Sequence, residues 1–171
     1  LLGYKVYPIN PYAKRILGVK AYPSITKIEE DVDLAVVVVP AERVPLVLEE
    51  CGEKHVKVAI ILSAGFSEVG NIELEEEVKR IGTKFGIRIL GPNCLGVFDS
   101  YSGVDTIFLP YFKVLPDGRR LSSLPRPKRG SISLISQSGA VGVAVLDYMA
   151  SEGIGISKFI SYGNKVDIDE T

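Results

Sequence analysis

Leu34-Ala35-Val36-Val37-Val38-Val39 runs without one polar side chain, is mostly β-branched, and stops at Pro40. A run this short does not span a bilayer, and unbroken valine favours a strand over a helix. With no polar position, the strand expects cover on both faces, as in a parallel sheet. Val56 to Leu62 repeats the pattern and ends in Ser63-Ala64-Gly65-Phe66-Ser67, and Ile87-Arg88-Ile89-Leu90 is a shorter copy leading into Gly91-Pro92-Asn93-Cys94-Leu95-Gly96. Helical patterns lie between. Glu42 to Glu53 accepts Pro45 only in its first turn. Asn71 to Phe85 sets Ile72, Leu74, Val78, Ile81 and Phe85 on one stripe, and Gly86 is a ready cap. Its acids come early and its bases late, which complements the helix dipole; Glu75–Lys79 and Glu76–Arg80 are spaced to pair. These charges read as a solvated face. Strand, helix, strand, helix, strand means a doubly wound α/β sheet.

Ligands of such sheets bind beyond the carboxyl ends of the strands. Those ends are Asn10-Pro11, Pro40-Ala41, Leu62-Ser63-Ala64 and Gly91-Pro92-Asn93-Cys94. Asn10-Pro11 closes a further candidate strand, Tyr4 to Asn10, which Pro8 confines to an edge or a strand end. Ile25 to Asp31 reads as a short helix capped by Ser24 or Thr26.

From Tyr101 to Gly130 the periodicity fails. Pro110, Pro116, Pro125, Pro127 and Asp117-Gly118-Arg119-Arg120 interrupt it, so 101–129 is expected to be a Pro-rich linker or surface excursion between two domains, 1–100 and 130–171. The second begins with a strand, Ser131 to Ile135, a small polar turn, Ser136-Gln137-Ser138-Gly139, and a helix from Ala140 to Met149. That helix is apolar almost all round, so it is expected to be buried. Its first turn must still reach the open end of the sheet, where unpaired N–H groups and the dipole attract a phosphate or carboxylate. An ordinary helix cap by Ser136 or Ser138 explains the same residues. A last strand is expected near Ile156 to Ser161, followed by Gly163-Asn164-Lys165, and Asp167, Asp169 and Glu170 read as the acidic lead-in to a helix expected beyond Thr171.

A net charge of −1 leaves no electrostatic footprint for nucleic acid or an anionic membrane, and no run reaches transmembrane length. Two cysteines far apart, with no signal peptide ahead of them, point to free thiols in the cytoplasm.

Ile9-Asn10-Pro11 with Gly18, Val39-Pro40, Ser63-Ala64-Gly65-Phe66, Gly91-Pro92-Asn93-Cys94-Leu95-Gly96, Ser136-Gln137-Ser138-Gly139 and Gly163-Asn164-Lys165-Val166-Asp167 fall in one order. That ordered series resembles the α subunit of NDP-forming acyl-CoA synthetases, closest to the ADP-forming acetyl-CoA synthetase type, with succinyl-CoA synthetase α more distant. It covers essentially the whole chain. The resemblance implies a Rossmann-like CoA-binding domain, its first strand and Gly-rich loop lying before Leu1, followed by the start of a flavodoxin-like domain. It implies conversion of acyl-CoA, ADP and phosphate into acid, CoA and ATP through a phosphohistidine beyond Thr171, so that the chain is inactive alone. It implies CoA contacts from Lys14, Pro40, Ala41, Leu62, Ser63, Ala64, Asn93 and Cys94, and phosphate or acyl contacts from Gln137, Ser138, Gly139 and Asn164. Mg-ADP or Mg-ATP is expected only through an ATP-grasp β subunit or fused β-like domain, in a hetero-oligomer.

No residue is assigned to catalysis or to a metal. His55, the one histidine, reads as a surface residue near a helix end rather than a phosphocarrier, and Cys94 as a small buried hydrophobe rather than a nucleophile. Two other readings stay open. One is a CoA-binding regulatory module, such as a degenerate synthetase domain fused to an acetyltransferase; the other is a nicotinamide-binding domain, although no Gly-x-Gly-x-x-Gly follows any strand present.

Overall fold

The computed structural model describes residues 4–171. Asn10 to Lys20 forms a small ribbon, β1 (Arg15–Ile16) against β2 (Val19–Lys20). The apolar runs then become β3 (Leu34–Val37), β4 (Val58–Ile61) and β5 (Arg88–Leu90), parallel in the order β3-β4-β5. Two helices connect them, α1 (Val44–Glu53) and α2 (Ile72–Phe85), with Pro45 in the first turn of α1 and Gly86 closing α2 in the left-handed conformation.

Strand alternation sorts the side chains. Val37, Ala59 and Ile61 point to the face where Val44, Leu48, Val78 and Ile81 of the helices make the core. Ile60, Leu90 and Leu34 point the other way, toward Val97 and Ile160.

The second sheet has the order β6-β10-β9, from β6 (Gly96–Asp99), β9 (Arg129–Ser136) and β10 (Ile156–Ser161). β10 is antiparallel to β6 and parallel to β9, and α3 (Gly139–Ser151) links β9 to β10. The stretch expected as a linker or excursion carries a hairpin, β7 (Phe112–Val114) with β8 (Arg120–Ser122), and sends Ile107 and Leu124 into a core with Phe98, Leu146 and Phe159. The chain ends along β5: Ile168 N–H donates to Ile89 O, while Asp167 accepts from Ile89 N–H and from Arg88, both at 2.8 Å.

Several expectations need correction. Tyr4 to Asn10 is not a strand; only Ile9 bridges to Tyr22, because Pro8 brings no N–H to a ladder. Ile25 to Asp31 shortens to a 3-10 turn, Ile25–Lys27, with Ser24 as its cap. The run from Leu34 to Val39 is not covered on both faces: Leu34 packs with Val97 and Ile160 of the second sheet, whereas Val36 and Val38 stay exposed, because that sheet does not reach them. α3 is not buried all round. Gly142, Leu146 and Met149 pack inward, whereas Val141 and Tyr148 face outward, as do Ile132 and Ile135 of β9. Neither Glu75–Lys79 nor Glu76–Arg80 closes as an ion pair among the described residues. No described helix is long and apolar enough to cross a membrane.

Candidate functional site

The carboxyl ends of the three parallel strands are laced together. Ser63 Oγ donates to Val39 O, Asn93 N–H donates to Ser63 O at 2.9 Å, and the Cys94 thiol donates to Ile61 O at 3.3 Å. Gly65, at φ +116°, lies so close to the loop after β3 that a Cβ there would be 3.0 Å from that of Ala41. Each loop thus holds the next, and backbone groups of 40–41, 62–64 and 93–94 sit at one end of the sheet. Burial pushes the Cys94 thiol up to about 11, so it sits as a neutral donor in the floor rather than as a thiolate.

The facing wall is the start of α3. Ser138 is its N-cap, its hydroxyl accepting from Val141 N–H at 3.3 Å. The N–H groups of Gly139 and Ala140 have no acceptor among the described residues, so two donors and the positive end of the dipole point outward. Ser136 Oγ donates to Ser138 O and stiffens the turn. The cap reading and the anion reading therefore hold together: Ser138 serves the cap, and the next two amides remain open.

A third element closes over the floor. Asn164 N–H donates to Pro92 O at 2.9 Å, and Gly163 approaches the backbone of Pro92 and Asn93 so closely that no Cβ fits. The Asn164 carboxamide accepts from Asn93 at 3.3 Å and donates to Glu68 at 2.6 Å and Glu75 at 2.7 Å. Glu68 is held further by Gly65 and Phe66 N–H groups. Desolvation works to raise the pKa of Glu68, but the hydrogen bonds from Gly65, Asn164 and Phe66 outweigh it and lower the value.

These three elements enclose a cavity of about 650 Å³. Leu62, Ala64, Asn93 and Cys94 line it from the strand ends, and Gln137, Ser138, Gly139 and Asn164 from the second sheet. Four expected residues lie outside this lining. Pro40 is exposed, Ala41 is buried behind Gly65, Ser63 is occupied by Val39 O, and Lys14 is exposed on the loop after Asn10. Glu68, Leu95, Phe108, Leu109, Val143, Ala140 and Gly163 complete the walls and were not foreseen. Glu75, read as part of a solvated face, accepts from Asn164 instead. Only the position of Glu68, just after the Gly65-Phe66 turn that it hydrogen-bonds, carries a sequence signal. Phe108 and Leu109 come from the aperiodic stretch. His55 is exposed at the end of α1 with φ +58°.

Residues 2–99 match the CoA binding domain family, and residues 129–171 match the succinyl-CoA ligase like flavodoxin domain. The chain is 48% identical over 167 residues to the ADP-forming acetate–CoA ligase of Methanocaldococcus jannaschii, covering 98% of this chain and 22% of that protein. It is 41% identical to the alpha subunit of ADP-forming acetate–CoA ligase II of Pyrococcus furiosus, covering 98% of this chain and 34% of the subunit. A solved structure of dinucleotide forming acetyl-coenzyme A synthetase 1 from Ca. Korarchaeum cryptofilum, in complex with phosphate and ADP, superposes with a TM-score of 0.86 at 41% identity, over 99% of this chain and 33% of that one. The chain thus spans between about a fifth and a third of the length of these relatives.

Proposed function

Since this chain belongs to the CoA binding domain family, we propose that it is the CoA-binding part of an ADP-forming acid–CoA ligase of the acetate–CoA ligase type, converting acyl-CoA, ADP and phosphate into acid, CoA and ATP. The observation that carries this reading is the cavity itself, which brings the strand ends and the open amides of α3 to one space.

The polar walls have separate tasks. The laced strand ends offer fixed backbone groups for the amides of a pantetheine arm, at Leu62, Ser63, Ala64, Asn93 and Cys94, with Pro40 and Ala41 bordering them. Lys14, exposed beyond Asn10, can meet a CoA phosphate; the Asn10 carboxamide shapes that loop by accepting from Tyr12 and Ala13 N–H groups at 2.9 Å. Gly139 and Ala140 N–H groups, with Gln137 and Ser138, receive the inorganic phosphate. Asn164 fixes the floor beneath both. When bound, acyl-CoA would supply the thioester whose cleavage drives the reaction; the residues here bind and orient.

The phosphocarrier histidine is assigned outside these residues, because His55 lies on an exposed helix end and does not line the cavity. Mg-ADP is assigned to an ATP-grasp partner, fused or separate, and the buried free thiols of Cys51 and Cys94 support a cytoplasmic setting. The test is ATP formation by the full-length protein from acetyl-CoA, ADP and phosphate. ATP and free CoA in equal amounts are expected. CoA binding without any ATP formation would make the chain a regulatory module instead.

A further inference from the structure

Strand ends and phosphate turn leave one wall of the cavity without a role. That wall is apolar, and it is built by the aperiodic stretch. Residues 105 and 106 lie along β6, where Thr106 N–H donates to Val97 O at 2.9 Å, and Ile107 is buried. Phe108 and Leu109 follow and line the cavity.

Their placement is fixed by a buried cation. The Arg126 side chain is only 4% exposed. Its guanidinium donates to Asp105 at 2.9 Å, to Leu124 O at 2.7 Å and to Leu109 O at 2.9 Å, and lies 4.7 Å from the centre of the Tyr111 ring. The planar fork thus ties both ends of the segment bearing Phe108. The Phe108 ring, 60% exposed, is committed to no core and stands on the cavity side.

We propose that Phe108 and Leu109 select the acyl group, with Phe108 setting the largest chain admitted; this rests on the acyl-CoA reading above. An acyl thioester has a polar carbonyl and an apolar tail. With phosphate on the Gly139 and Ala140 amides, the thioester carbon lies beside it for attack, the C–S bond breaking to release CoA, and the tail is left to the apolar lining shared by Phe108, Leu109, Val143 and Leu95. Pockets discriminate chains by such apolar contacts, with one methylene changing selectivity by about tenfold or more.

The test compares acetyl-CoA with isobutyryl-CoA as thioesters for the full-length protein, measuring kcat/KM for CoA release in the presence of ADP and phosphate. Phe108→Ala is expected to raise the isobutyryl-to-acetyl ratio about tenfold, and Phe108→Trp to lower it. Exposure of the ring keeps both variants folded, and the two substitutions read the same wall in opposite directions. An unchanged ratio in both variants, with turnover retained, overturns the acyl wall and leaves the ligase reading standing. A wild-type protein that releases CoA from neither thioester and binds no CoA overturns both.

Discussion

The carboxamide of Asn164 donates to the Glu68 carboxylate at 2.6 Å, joining positions 96 residues apart and clasping the second sheet to the turn after β4. Glu75 takes the same amide at 2.7 Å. One neutral donor therefore separates two acids, one of which, Glu68, lines the cavity.

Replacing that donor should loosen the clasp. Asn164→Ala is expected to cost about 1 kcal/mol, a charge-assisted hydrogen bond discounted for its exposure, and to weaken CoA binding. Asn164→Asp should cost more at neutral pH, since it sets a third carboxylate beside two. The sign with pH separates the two variants. Glu68 has its pKa lowered in the folded state, so its contribution is present above the ordinary carboxylate range and fades as pH falls below it. The extra repulsion in the Asp variant disappears over the same fall. Melting curves of both variants from pH 7 to pH 4 check this; an Asp variant no less stable than Ala at pH 7 contradicts it.

Gly139→Val should abolish phosphate incorporation more completely than Ser138→Ala. A Cβ at Gly139 would lie 3.6 Å from Leu95 Cβ, an ordinary contact, so the fold survives while the approach to the amides is obstructed. Ser138→Ala removes the cap at about 1 kcal/mol and leaves the Gly139 and Ala140 donors in place. Incorporation of labelled inorganic phosphate into full-length protein in the presence of acyl-CoA measures both. Wild-type incorporation in a folded Gly139→Val variant would leave the turn with a capping role alone.

Much of this was legible along the chain, for physical reasons that differ by element. β3 and β4 announced themselves because a strand without polar positions has few other homes, β5 through Ile87, Ile89 and Leu90 around Arg88, and their ends located the loops that line the cavity. α2 was legible through its stripe and its Gly86 cap. What escaped depends on partners distant in sequence. Val36 and Val38 look like core residues, and only the placement of the second sheet leaves them bare. α3 has an apolar sequence on every side, yet its buried face is chosen by Phe159 and Leu95 meeting Gly142. Glu75 looked solvated because its acceptor role depends on Asn164. Phe108 and Leu109 lie in a stretch whose order comes from Arg126, not from periodicity.

His55 offers a prediction in the opposite direction. It follows α1 in a left-handed conformation, φ +58°, which costs a residue with a Cβ about 1–2 kcal/mol relative to glycine. His55→Gly should therefore raise the melting temperature, with phosphate incorporation unchanged. Thermal denaturation and labelled phosphate measure the two halves; loss of incorporation would make His55 a participant in the chemistry.

Ligand identity is the centre of the account. Calorimetric titration of the full-length protein with CoA, and separately with NAD, tests it most directly. Saturable heat with CoA and none with NAD is the expected result. Saturable heat with NAD and none with CoA would contradict it, and the strand ends would then belong to a dinucleotide site.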